Sequence, residues 1–214
     1  MPKKFILLIS AFLLSFFLVI AAYFWLSPQN SVLIQPFLPK SKFSLVKAPL
    51  DSLTAKISSY SGNIAWQSRT ASMATLIGSP IELQQGEELD SQGNGTATIE
   101  FPGNARIFLY NNTQIYLVQT LPANIVIQQK QGTAEFTRLS QNVPLSVVSS
   151  NLLINVISGK TSVSMDKKTK YITVKVTGES KIAYVDLNNN THVKDLSTGN
   201  VFVFNDDTRK SYLE

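Results

Sequence analysis

The sequence predicts an all-β domain of stacked short strands, sandwich- or solenoid-like, behind one apolar N-terminal helix. Three observations carry that expectation. The stretch Asn94 to Leu117 alternates: Ala97, Ile99 and Phe101 take one face, and Thr96, Thr98 and Glu100 take the other. Beyond Gly62, runs rich in Val, Ile, Thr, Tyr and Phe are separated by Gly, Pro and Asn, a spacing typical of sandwiches, barrels and stacks. No helical period of useful length follows residue 60.

The chain begins with a tail, residues 1–4, carrying Lys3 and Lys4. Residues 5–26 then run from Phe5 to Leu26 with only Ser10 and Ser15 interrupting the apolar character. A helix of that length reaches roughly 33 Å, enough to cross a bilayer core. Tyr23, Phe24 and Trp25 stand at its far end, where interfacial aromatics belong. The lysines place residues 1–4 in the cytoplasm and everything from about residue 27 outside it. The expected location is therefore the cell membrane, single-pass, with a periplasmic or extracellular domain. Val19-Ile20-Ala21 supports a rival expectation, a secreted protein released by signal cleavage near Ala21.

Residues 27–59 read as a juxtamembrane linker. Pro28, Pro36, Pro39 and Pro49 exclude a long helix. Leu50, Leu53 and Ile57 fall at helical spacing, which predicts a short helix near Leu50–Ser59. Val32–Ile34 and Phe43–Val46 are apolar enough to lie against the domain or the membrane surface.

The β domain spans residues 60–205, and residues 206–214 read as a polar tail. Strands are expected near Asn63–Gln67, Ser79–Gln84, Gly95–Phe101, Arg106–Tyr110, Gln114–Gln119 and Asn124–Gln128. Others follow near Thr133–Arg138, Leu145–Ser149, Leu153–Ser158, Thr161–Met165, Tyr171–Thr177, Lys181–Asp186 and Val201–Asn205. Lys175–Glu179 and Leu187–Asn190 read as turns between hairpin arms. Gly86, Gly132, Gly159, Gly178 and Gly199 stand at the margins of alternating runs, as corner residues do.

Composition narrows the function. The chain has 214 residues, no cysteine and one histidine, and a formal net charge of +5. Without cysteine there is no disulfide framework, thiolate metal site or cysteine nucleophile. Residues 61–214 hold 13 bases and 13 acids, so the basic excess belongs to the tail and linker. A nucleic-acid surface would need clustered positive charge on the domain itself, and none is expected. The linker lysines are placed to keep it solvated or to touch anionic headgroups.

Candidate chemistry is sparse. His192 lies in the polar stretch "NNNTHVKD" and reads as a solvated turn residue, since one histidine builds no His-rich zinc site. Glu87-Glu88 and Asp206-Asp207 are adjacent pairs whose members face opposite sides of a strand, so neither makes a carboxylate dyad. Asp186–Asn190 reads as an Asx turn and lacks the distal Glu of a calcium loop. No glycine-rich phosphate loop or serine elbow occurs. No catalytic residue, cofactor site or metal site is expected.

The sharpest expectation is a recognition face. With Ile107, Leu109, Ile115 and Leu117 directed to the core, Arg106, Phe108, Tyr110, Gln114 and Tyr116 share the outer side. Three aromatics with an arginine and an amide suit a partner protein or the sugar rings of a cell-envelope polymer. The competing expectation is that a second layer or the linker covers this face. Homo-oligomerisation through unpaired strand edges is a further expectation.

The order of elements adds a resemblance. "IELQQGEEL" (Ile81–Leu89) precedes "GTATIEFPGNARIFLYNNTQIYL" (Gly95–Leu117), then "IQQKQGTAEF" (Ile127–Phe136) and "PLSVVSSNLLINVISGKTSVSM" (Pro144–Met165). "YITVKVTGESKIAYV" (Tyr171–Val185) and "VKDLSTGNVFVF" (Val193–Phe204) complete the order. This resembles the FecR domain, an all-β extracytoplasmic module, over roughly Tyr60 to Phe204. The resemblance implies a non-catalytic signalling or envelope-organising module. The best-known FecR proteins also carry a cytoplasmic sigma-factor-binding segment and a receptor-contacting C-terminal region. With only Met1–Lys4 expected inside, the resemblance is to the ectodomain without the anti-sigma region.

Overall fold

A computed structural model of the chain describes Ser15 and residues 47–214. The chain divides into one unit over Met1–Phe43 and another over Ser44–Glu214, and the description below is of the second. Apart from Ser15, the apolar run 5–26 and the linker segments Val32–Ile34 and Phe43–Val46 lie outside the described residues. Among the described residues no helix is long and apolar enough to cross a membrane.

The domain is all-β, as its alternation predicts. Its strands are β1 (Ala55–Gln67), β2 (Thr75–Leu76), β3 (Glu82–Leu83), β4 (Glu88–Phe101), β5 (Ala105–Leu109), β6 (Thr113–Leu121) and β7 (Asn124–Arg138). They continue with β8 (Leu145–Ser149), β9 (Leu152–Met165), β10 (Tyr171–Val185), β11 (Thr191–Ser197), β12 (Val201–Asn205) and β13 (Lys210–Leu213). All thirteen join one sheet.

Five strands are long, and each pairs with different partners along its two halves. The second half of β4 pairs β5, with Thr98 opposite Phe108, while its first half pairs β6, with Leu89 opposite Ile115. The first half of β7 pairs β6 and, in parallel, β8; its second half pairs β5 and β9. The first half of β10 pairs β12 and its second half pairs β11.

A sheet with one apolar face needs a cover. No helix among residues 47–214 supplies it, so the sheet covers itself. The halves form two layers. Layer A holds the first halves of β1 and β10, the second halves of β4, β7 and β9, and β3, β5, β12 and β13. Layer B holds the remaining halves with β2, β6, β8 and β11. Side chains of both layers meet in one hydrophobic cluster, including Ile99, Phe101, Ile107, Phe136 and Phe204 from A and Leu89, Ile115, Ile127, Val147 and Ile154 from B. The facing is visible in single contacts. Tyr184, on layer B, packs its ring 5.0 Å from that of Phe204, on layer A. Gln129 of layer B is fully buried and donates to the Val163 carbonyl of layer A at 3.0 Å. Each fully buried phenylalanine contributes roughly 1.5–3 kcal/mol relative to exposure.

The bends that carry strands between layers correct several boundaries. Leu153–Ser158 and Thr161–Met165 are one strand, β9, and Tyr171–Thr177 and Lys181–Asp186 are one strand, β10. Backbone pairing runs through the bend, with Thr177 opposite Lys160 and Gly178 opposite Gly159. Lys175–Glu179 is therefore a kink inside a strand, not a hairpin turn. Asn124–Gln128 and Thr133–Arg138 merge likewise into β7. Of the two expected turns, Leu187–Asn190 is the one that turns the chain, between β10 and β11.

The helix expected near Leu50–Ser59 is also corrected. Strand β1 begins at Ala55, where Ala55 and Ile57 alternate inward and Leu50 is fully exposed. The helical spacing of Leu50, Leu53 and Ile57 buries no common stripe. Strands β2, β11 and β13 are additions to the expected set, and β13 falls within the segment read as a polar tail. They are short or edge strands, whose side chains bury little.

Candidate recognition faces

Inward alternation of the β5 and β6 segments is as expected. Ile107, Leu109 and Ile115 are fully buried and Leu117 nearly so. Outward residues of β5 follow from that parity. Arg106 is exposed and its Nε donates to Glu100 Oε1 at 3.0 Å. Phe108 and Tyr110 meet edge to face, with ring centroids 4.8 Å apart. The Tyr110 hydroxyl donates to Glu135 Oε1 at 3.1 Å. Desolvation first, and then this bond to a carboxylate, raises the Tyr110 pKa above its ordinary value. Glu135 is held from the other side by Lys160 at 3.1 Å.

Gln114 and Tyr116 lie elsewhere, which corrects the expectation of one shared face. Strand β6 pairs the first halves of β4 and β7, so its outward side chains belong to the outside of layer B. There Gln114 Nε2 donates to Glu88 Oε1, Glu88 pairs with Lys130, and Lys130 Nζ sits 5.4 Å from the centre of the Tyr116 ring. The five residues thus form two groups on opposite sides of the sandwich: Arg106, Phe108 and Tyr110 on A, Gln114 and Tyr116 on B. Among the described residues no second layer covers either group.

The reason lies in a buried polar corner that periodicity alone does not reveal. Ser91 and Thr113 occupy inward positions and are fully buried. Ser91 Oγ is 2.5 Å from the Tyr110 carbonyl and 3.1 Å from that of Thr113, and it accepts from the Thr113 amide at 2.9 Å. Thr113 Oγ1 donates to the Thr133 carbonyl at 2.7 Å and accepts from its amide at 2.9 Å. These hydroxyls satisfy backbone groups that the turn between β5 and β6 takes out of the ladder. A signal was present: serine and threonine at apolar positions of an alternating run.

His192 and the acids weighed in the sequence serve the fold. His192 is not a turn residue. It lies on β11, stacked on Tyr184 at 4.9 Å, with Nε2 2.9 Å from Asp186 Oδ2. Asp186 also accepts from the amides of Asn188 and Asn190 at 2.8 and 2.9 Å, which makes the Asx turn. The His192 bond and then those amides hold the Asp186 carboxyl well below the usual range. Glu87 and Glu88 do face opposite sides. Glu87 is buried and accepts from Trp66 Nε1 and the Gln84 amide, both at 3.0 Å. Asp206 accepts from Ser150 Oγ at 2.6 Å and from Asn151. Among the described residues no three of His, Asp and Glu come together as metal ligands.

No protein-family model matches the chain, and no curated protein matches it. Solved structures do. Two crystal structures, at 2.50 Å and 1.65 Å, of a protein from Parabacteroides distasonis proposed to be an anti-sigma factor match with TM-scores of 0.51 and 0.52. Sequence identity is 15% and 14%, and each match covers 59% of this chain and 58% of the other. The likeness is one of fold: this chain shares a β architecture with part of that protein.

Proposed function

We propose that the chain is a membrane-anchored, extracytoplasmic binding module of the FecR-like type, acting in signalling or envelope organisation by holding a ligand and not by catalysis. The observation that carries this reading is the outside of layer A around β5. There Phe108 and Tyr110 stand on a rigid sheet whose inward side chains are fully buried. Rigid aromatics lose little entropy on contact, which suits recognition. The shared fold with a protein proposed to be an anti-sigma factor supports a signalling role. The apolar run 5–26, with its flanking lysines, supports anchoring.

Two measurements test this on the full chain in producing cells. Fractionation with protease accessibility should find the protein in the membrane fraction and cleavable only from the outside. A photo-reactive residue at position 108 should give discrete adducts that one at the buried position 107 does not. A cytosolic protein, or equal adducts from both positions, overturns the reading.

A second reading, a structural subunit assembled through strand edges, is favoured by one observation. Exposed Val193 on β11 and exposed Tyr212 and Leu213 on β13 line the edge strands beside β10 and β12. Sedimentation at rising concentration decides it, since a persistent monomer excludes that assembly.

A further inference from the structure

Layer A carries, beside Phe108, a feature whose chemistry names a ligand class. A shallow groove of about 210 Å³ is lined by Ser59 and Ser61 of β1, Thr96 and Thr98 of β4 and Phe108 of β5, over Tyr60 and Ala97. Its position follows from two irregularities of β1, between Ile57 and Ser59 and between Ser61 and Asn63, which draw that strand out of even register with β4. Between them Ser59 stands opposite Thr98 and Ser61 opposite Thr96, so four hydroxyls point to the same side. Thr98 in turn stands opposite Phe108.

Two properties restrict what fits. Among the described residues none of these four hydroxyls takes part in a hydrogen bond, although other outward polar groups nearby do, so four donor-acceptor groups face outward. The surrounding charge is balanced in sign. Arg106 pairs with Glu100, Lys160 with Glu135, and Lys56 stands in register with both Glu100 and Glu82. Three cations and three carboxylates thus flank this surface, so among the described residues neither an anionic nor a cationic ligand finds a net opposite charge here. A neutral polyhydroxylated ring matches: its hydroxyls exchange hydrogen bonds with serine and threonine, and its C–H face packs on an aromatic ring.

We infer that this groove is a subsite for a neutral saccharide chain, running along the row Ser59, Thr98 and Phe108. This rests on the binding-module reading and names its ligand class. The volume suits about one sugar ring, so binding to a single site is weak, with a Kd of about 1 mM, and strength comes from repetition along a polymer.

The test uses the full chain in lipid nanodiscs, with cellohexaose as the neutral probe and a polygalacturonate hexamer as the charged one. NMR of threonine methyl groups should show saturable shifts at Thr96 and Thr98 with cellohexaose and none with the acid. Thr98→Val keeps the shape and removes a hydroxyl, and Phe108→Ala removes the ring. Each should weaken binding about tenfold with the spectrum otherwise unchanged. Where Phe108→Ala collapses the spectrum, Thr98→Val decides alone, because it preserves volume and branching. No saturable shift with cellohexaose, or equal binding by Thr98→Val, overturns the saccharide assignment. Protein adducts from position 108 in cells, with no saccharide shift, would sink this inference while leaving the binding-module reading standing. Failure of anchoring or export would sink that reading instead.

Discussion

Gly178 lies directly opposite Gly159 where β10 and β9 bend together from one layer to the other. A Cβ on Gly178 would stand 2.2 Å from the Ser158 carbonyl oxygen, and one on Gly159 would stand 2.3 Å from that of Thr177. Both residues have positive φ, +132° and +69°. The crossing of two bent strands at this point admits no side chain on either.

Gly178→Ala is therefore expected to cost about 3 kcal/mol or more, combining backbone strain with overpacking against main chain that cannot move aside. Gly103 provides the control. Its φ is also positive, +72°, but nothing stands within 4 Å of its Cβ position. Gly103→Ala should cost only the backbone strain, about 1–2 kcal/mol. Urea unfolding of the two variants should separate them clearly, and equal losses would show that the crossing is looser than described.

This glycine pair also shows where the sequence is legible and where it is not. Alternation identifies the inward residues correctly because parity is a local property: Ile107, Leu109, Ile115 and Leu117 need no tertiary knowledge. The bends are not legible because a glycine within an alternating run signals an interruption but not its kind. At Gly178 the ladder continues, and only the pairing of both strands distinguishes a kink from a turn. The division of Arg106, Phe108 and Tyr110 from Gln114 and Tyr116 has the same origin. The turn between β5 and β6 crosses layers, and the residues that make it do so, Ser91 and Thr113, are distant in sequence. Strands β11 and β13 leave little trace because edge strands bury few side chains and so carry weak alternation.

Thr113→Val tests the corner. Valine matches threonine in shape and branching but leaves the Thr133 amide without its acceptor, while the Thr133 carbonyl keeps the Tyr110 amide at 3.0 Å. A buried donor stripped of its partner costs about 1–3 kcal/mol. The melting temperature should fall accordingly, and hydrogen exchange at the Thr133 amide should accelerate. A neutral substitution would mean that water replaces the hydroxyl.

Tyr184 joins the layers at the other end of the sandwich. Its ring packs on Phe204, stacks on His192 and places its hydroxyl 2.7 Å from Ser211 Oγ on β13. Tyr184→Phe should cost about 1 kcal/mol, the net value of one hydrogen bond. Tyr184→Ala should cost about 3–5 kcal/mol through the cavity it leaves. Amide exchange should rise first along Lys210–Leu213, because among the described residues β13 pairs with β12 alone. Uniform exchange across the sheet would contradict that order.

Asp186 gives the fold an acid-sensitive element. Its carboxylate is held below the ordinary range by the bond to His192 and by the amides of the turn. A folded-state pKa below the unfolded value means that the unfolded chain takes up the proton first as pH falls. The stabilisation is therefore complete above the unfolded value of about 3.9 and is lost as pH drops through the lower folded value. Asp186→Asn keeps an oxygen to accept from Asn188 and Asn190 but carries no titrating charge. Melting temperatures of both proteins, followed from about pH 6 to about pH 2, should show a gap in favour of Asp186 that closes on the acid side. A gap independent of pH would assign the carboxylate a purely steric part in the turn.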